Sequence, residues 1–311
     1  MPGSRIAVLV RKMCRLELPG FPKKSDGGQA QGFVNQKNMA KHIIQALRHL
    51  WSSLTRSPLV DVAKFLLVVG AVTWVMVSGT ERLGYVWHWY RIPQYIFSLQ
   101  DTTFRAGPLL RGLMVTFRIT AVSLVLAFIF GIVSALFRLS RSYVAKILAR
   151  GYLELIRNTP LLVQLFLVYF VLSPILDISR FTSAILTLSL FEGAYASEIF
   201  RSGIVSIHKG QWEAAYSLGF STFHTYYYIV LPQAFRRILP PLTSQAVSLV
   251  KDSALVSTIA IYDLTMQGQA IIAETYLTFE VWFSIAAMYL VITVTLSSLA
   301  NLLENRLRVI S

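Results

Sequence analysis

Two stretches of this chain run without a charged side chain for long enough to cross a bilayer: Ile119–Phe137, 19 residues, and Val281–Leu303, 23 residues. A helix needs roughly 20 apolar residues to traverse about 30 Å of hydrocarbon, where every backbone amide must be satisfied within the spanning structure. These windows commit the chain to lipid and to helices. Asn158–Leu176 is also uncharged over 19 residues, with Pro160 near its start, where a helix tolerates a missing N–H. Phe65–Gly79 is apolar for 15 residues and can be lengthened by a snorkelling Lys64. Two more spans carry charge: Phe181–Phe200 holds Glu192 and Glu198, and Leu239–Tyr262 holds Lys251 and Asp252. The expectation is an all-α, multi-pass protein with about six transmembrane helices, over 59–79, 112–137, 158–176, 181–200, 239–262 and 281–303.

Composition agrees with that solvent. Only 14% of the 311 residues are charged, against about 25% in soluble domains. The formal charge is +14; with so much apolar sequence, the excess points to topology and anionic lipid rather than to nucleic acid. With the N-terminus inside, segments 1–61, 138–157, 201–238 and 304–311 hold 21 Lys and Arg, while 80–111, 177–180 and 263–280 hold 5. Both termini are therefore expected in the cytoplasm. Cys14 is the only cysteine, which excludes an intrachain disulfide and any multi-cysteine metal site. The start of the chain has too short an apolar run for a cleaved secretory signal.

Residues 1–38 read as a flexible basic tail, and Met39 is an alternative start. Residues 39–58 read as an amphipathic interfacial helix, with Ile43, Leu47, Leu50 and Leu54 on one face. The outer segment 80–110 contains Tyr85-Val-Trp87-His-Trp89-Tyr90, suited to anchoring in the headgroup region.

The connection 201–238 is too long for a simple loop. Glu213-Ala-Ala starts a short helix, Gly219 permits positive φ or close approach, and Pro232 should block a continuous helix, with Pro240-Pro241 leading into the next span. Taken alone, this is equally an ordinary interfacial helix.

Glu213-Ala-Ala-x-x-x-Gly219, followed by Leu231-Pro232-Gln233-Ala234 and Arg236, resembles the EAA loop of ABC importer permeases, and more narrowly of the polar amino acid group. Arg157-Asn-Thr-Pro-Leu-Leu-Val-Gln164, Gly193-Ala-Tyr-Ala-Ser-Glu-Ile-Phe-Arg201, Lys209-Gly-Gln-Trp-Glu213 and Lys251-Asp-Ser-Ala-Leu255 agree in order, so that the similarity covers about 107–305. The resemblance implies a type I importer permease fold in the bacterial inner membrane, with Glu213, Ala214, Ala215, Gly219, Leu231 and Pro232 coupling to a separate ATPase. It implies that ATP and magnesium reside on that ATPase and that no cofactor is bound by this chain. It also implies a second permease copy or paralogue, an extracytoplasmic solute-binding protein, and a polar amino acid substrate such as glutamine or glutamate. The chain has no Gly-x-x-x-x-Gly-Lys-Ser/Thr phosphate cradle of its own.

Ionisable groups at membrane depth raise a functional question by default. Glu192 is a candidate ammonium contact on the substrate path; the plainer role is an interhelical pair with Arg118 or Lys251. Tyr195, Lys251, Asp252 and Gln164 are further path candidates. In place of the usual Lys-Asp-Thr-Ser-Leu the chain has Ser253-Ala254 after the acid, one hydroxyl fewer. Arg157, Glu198 and Arg201 are assigned to structural ion pairing, the last two being one helical turn apart. A secondary transporter or channel for a small polar solute is the rival reading. An intramembrane enzyme is disfavoured because every histidine falls outside the spans and no His-Glu-x-x-His or Gly-x-Ser-x-Gly occurs.

Overall fold

The computed structural model describes residues 58–82, 84–100 and 103–307, in two units divided after Val86. The tail over 1–38 and nearly all of the expected interfacial helix over 39–58 lie outside the described residues. In the first unit, α1 (Pro58–Arg82) has proline in its opening turn and Asp61 bonded to Lys64 at 3.1 Å, and Val60–Gly79 is long and apolar enough to span.

The second unit opens with a 3-10 turn (Trp89–Arg91), a short α2 (Pro93–Ile96) and an antiparallel hairpin of β1 (Phe97–Gln100) with β2 (Thr103–Ala106), Phe97 opposite Ala106. Ten α-helical segments follow among the described residues, seven of eight residues or more and three shorter pieces. α3 (Pro108–Leu139) begins the series; α4 (Tyr143–Arg157) then turns by 105° into a broken segment of α5 (Leu161–Phe166), a π-helical stretch (Leu167–Leu172) and α6 (Ser173–Leu176). α7 (Arg180–Val205), α8 (Lys209–Ser217), α9 (Thr222–Thr225), a π-helical stretch (Tyr226–Val230), α10 (Leu231–Asp252), α11 (Leu264–Thr275) and α12 (Thr278–Leu307) complete it.

α3 and α7 cross closely because both present small side chains. Ser123, Ala127, Gly131 and Ala135 recur every four residues along α3 and are buried. A Cβ on Gly131 would lie 2.8 Å from that of Ala196, and one on Gly193 would lie 2.9 Å from the Cβ of Phe130. In lipid, where apolar burial gives little preference for helix over solvent, such close packing drives helix association. Around the crossing, Ile119, Leu161, Leu165, Leu188, Leu249 and Val256 form the main core.

Several boundaries differ from those read in the sequence. Among the described residues three helices are long and apolar enough to span, α1, α3 and α12, or four if the bent α4–α6 segment counts as one. α7 and α10 have 26 and 22 residues, but their charges lower the apolar signal. The segment 138–157, expected only as an inner connection, contains α4, capped by Ser142 and burying Ala149, Leu153 and Ile156. The span expected over 239–262 starts as helix at Leu231 and ends at Asp252. Pro232 does not interrupt it, because it sits in the first turn; Pro240 and Pro241 lie inside the helix. Those prolines free the carbonyls of Arg236 and Arg237 on an exposed stretch, where solvent or headgroups satisfy them. Beyond Asp252 the backbone tightens to 3-10 (Ser253–Ile259), Ser253 bonds back to the Val250 carbonyl at 2.7 Å, and Ala260 turns left-handed at φ 56°. The aromatic segment expected as an interfacial anchor packs on α12: Trp87 stacks on Trp89 at 5.7 Å and tilts against Phe279 and Phe283, and the His88 amide donates to buried Glu280 at 2.7 Å.

Gly112 lets α3 meet the start of α11. A Cβ there would stand 2.7 Å from the Asp263 carbonyl oxygen. Asp263, fully buried in the connection between spans, caps α11 by accepting from the Met266 amide at 2.9 Å, while its other carboxylate oxygen has no partner among the described residues. Burial pushes its pKa from 3.8 up to about 6. Gly112→Ala should cost about 1–3 kcal/mol from overpacking, read as a lower Tm in detergent. Gly151→Ala, with nothing within 4 Å of the added carbon, should be neutral or slightly stabilising. The folded Asp263 carboxyl holds its proton more tightly than the unfolded one, so its contribution favours the fold below about pH 4 and declines as pH rises towards 6. Asp263→Asn keeps the cap and should flatten that interval of the stability profile, by about 3 kcal/mol at full effect.

Candidate functional site

The connection from α7 to α10 is a helical segment packed at its base rather than an open loop. α8 is capped by His208, whose ring accepts from the Gly210 amide at 3.1 Å, and carries an exposed Lys209–Glu213 pair at 3.2 Å. It closes on Gly219 at φ +80°: the Gly219 amide donates to the Tyr216 carbonyl at 3.0 Å and that of Phe220 to Ala215 at 3.1 Å. This reciprocal pair, with glycine in the left-handed position, satisfies the last carbonyls of the helix. Trp212 packs edge-on against Tyr226 at 5.0 Å, and Ile204, Ile207, Val230, Ala234 and Ile238 seal the root. Arg237 donates to the Ser206 carbonyl and, at 3.0 Å, to its hydroxyl. These contacts join the base of the connection to α7 and α10.

The loop residues expected to act together separate by face. Glu213, Ala214 and Gly219 are exposed, as are Leu231 and Pro232. Ala215 is fully buried, so of the alanines expected to couple, Ala214 alone is exposed on this helix. The same connection also exposes Tyr216, Leu218, Phe220, Phe223, Tyr227 and Tyr228.

Within the bundle, Glu192 is 2% exposed, and the Gln245 side chain of α10 donates to it; its other oxygen has no partner among the described residues. The expected ion pair with Arg118 or Lys251 is replaced by this amide, and both of those cations are exposed. Asp252 lies beside the same acid, while Lys251, the next residue along the helix, points elsewhere. Gln245 carried no motif of its own; its spacing of seven from Asp252 on α10 was the available signal.

Glu198 takes both Arg201, one turn on, and Arg138 at the end of α3. Arg138 was not among the sequence candidates, although it closes α3 on the charged side of the span. Arg157 forms no ion pair with a described carboxylate: its guanidinium stands 5.4 Å from the centre of the Tyr195 ring. Gln164, expected on the substrate path, has its amide nitrogen engaged locally, while its carbonyl oxygen is buried without a partner among the described residues. Its amide donates to the carbonyls of Ile156 at 2.7 Å and Thr159 at 3.0 Å and to the Thr159 hydroxyl at 2.7 Å, holding the 105° turn between α4 and α5. Among the described residues, no group of three or more His, Cys, Asp and Glu side chains is arranged to hold a metal.

The pattern of the family described as "Binding-protein-dependent transport system inner membrane component" matches residues 127–309. The glutamine transport system permease protein GlnP of Escherichia coli K12 is 38% identical over 205 residues, 65% of this chain and 94% of that protein. The L-cystine transport system permease protein TcyB of Bacillus subtilis 168 is 37% identical over 199 residues, 63% of this chain and 85% of that one. A crystal structure of an amino acid ABC transporter with histidines superposes with a TM-score of 0.61 at 38% identity, covering 64% of this chain and 94% of that one. With the helical order, the buried acids and the projecting loop, these matches show that the chain belongs to the inner-membrane components of binding-protein-dependent transport systems, the multi-pass permease subunits of ABC transporters.

Proposed function

We propose that this permease carries a polar amino acid from an extracytoplasmic binding protein to the cytoplasm by alternating access, driven by a separate ATPase that binds ATP and magnesium. The observation that carries the reading is the α8 projection: Glu213, Ala214 and Gly219 are exposed on a helix whose base is locked to α7 and α10. A surface pushed by a partner needs such a stiff connection to the spans. The proposal includes six spans with both termini inside, and a second copy or paralogue, since one subunit lines half of a two-fold pathway.

Similar identities to relatives named for glutamine and for L-cystine support an amino acid and do not select the side chain. Glutamine or glutamate is the reading we adopt. Glu192, with Gln245 and Asp252, is the buried polar constellation of the bundle and the proposed ammonium contact on the path. The rival reading, a secondary transporter or channel, leaves the projection without a task.

Gly219→Asp tests the coupling. It places a branched, charged residue in a left-handed conformation that costs roughly 1 kcal/mol or more and adds charge to the contact face. ATP-dependent uptake in vesicles should fall by about tenfold or more, the equivalent of about 1.4 kcal/mol, with membrane insertion unchanged. Normal uptake by a stably inserted variant contradicts the reading.

A further inference from the structure

A second concave site is lined by Tyr195, one turn along α7 from Glu192, but not by Glu192 or by residues 206–230 of the projecting connection. It is a cavity of about 320 Å³ lined by Arg138, Arg150, Leu153, Glu154, Arg157, Asn158 and Tyr195, where the ends of α3 and α4 meet the side of α7. Three guanidiniums share this space with one carboxylate. Arg138 is engaged by Glu198, and Glu154 accepts from the Asn158 amide at 2.7 Å. Arg150 and Arg157 have no carboxylate within ion-pair distance among the described residues, and Arg157 is steadied by the Tyr195 ring.

A positive-inside bias requires only that cations lie on one side of the membrane. It gives no reason to gather them into one concavity, where like charges repel. Convergent guanidiniums with an amide and a phenol form a donor-rich set, and arginine matches the oxygens of phosphate with paired N–H bonds. The volume is several times what one water requires. The α4 helix contributing Arg150 and Arg157 also exposes Val144, Ile147, Leu148 and Leu155, so apolar surface suited to acyl chains lies on the same helix.

We propose that this cavity binds a phosphate-bearing anion, supplied either by the headgroup of an anionic phospholipid or by free phosphate. The site is independent of the transport reading, because its ligand is neither the substrate nor the ATPase.

The test uses the purified full-length chain without its ATPase, so that no nucleotide site contributes. Thermal unfolding is followed in neutral phosphatidylcholine micelles as inorganic phosphate or phosphatidylglycerol is titrated in. A rise in Tm with either ligand is expected; phosphatidylglycerol alone assigns the headgroup, and inorganic phosphate alone assigns the free anion. Arg150→Gln with Arg157→Gln should weaken the response by about tenfold or more, the loss expected for charge-assisted hydrogen bonds. Both side chains are exposed, so the fold should survive, and Arg111→Gln, at the other end of α3, should leave the response intact. No response to either ligand, or an undiminished response in the double variant, overturns the proposal.

Discussion

The close crossing of α3 and α7 is the contact on which the rest of the second unit depends. A bilayer offers no hydrophobic reward for bringing two apolar helices together, so the association rests on shape and on groups that find partners. Gly131 against Ala196, and Gly193 against Phe130 and the Ala127 carbonyl, allow backbones to approach where any added carbon would collide. That proximity brings Arg138 to Glu198 at one end of the crossing. It also sets the face of α7 that presents Glu192 to Gln245 of α10. A wider crossing would take Arg138 away from Glu198 and leave that acid with Arg201 alone, in a medium that penalises unpaired charge.

From this hub the chain transmits position outward through packed elements. α7 runs into the root sealed by Ile204 and Ile207, and α10 leaves the same root through Val230, Ala234 and Ile238. Between them α8 is fixed at three points: the His208 cap, the Trp212–Tyr226 contact and the two amide bonds that close on Gly219. A helix buried on one face and bare on the other is suited to receive force from a partner. The bond from Arg237 to Ser206 joins the two ends of the loop directly.

The long uncharged windows were legible because hydrocarbon demands them: α3 and α12 coincide with the stretches free of charge. The projection was legible through its order of motifs, and Gly219 through the backbone that only glycine enters without strain. Other features depend on neighbours that a local pattern does not contain. Pro232 reads as a breaker until its place in a first turn is known, and Pro240-Pro241 are tolerated because the freed carbonyls are exposed. Gln164 reads as a polar side chain in a span, yet it serves the turn preceding that span. Ala214 and Ala215 are identical in sequence terms, and only the fold separates the exposed one from the buried one. Glu192 announced a partner without naming it, since an amide on α10 offers no charge to search for.

The claim at the centre is that the exposed face of α8 meets an ATP-hydrolysing partner inside the cell. With Cys14 replaced by serine, Tyr216→Cys places a single thiol on that face. The direct measurement is crosslinking of this thiol in native membranes with and without ATP. The account predicts a product joining the permease to its ATPase, with a yield that changes when nucleotide binds. Labelling of the thiol in intact cells by a reagent that cannot cross the membrane, or a projection that never joins an ATPase, would contradict it.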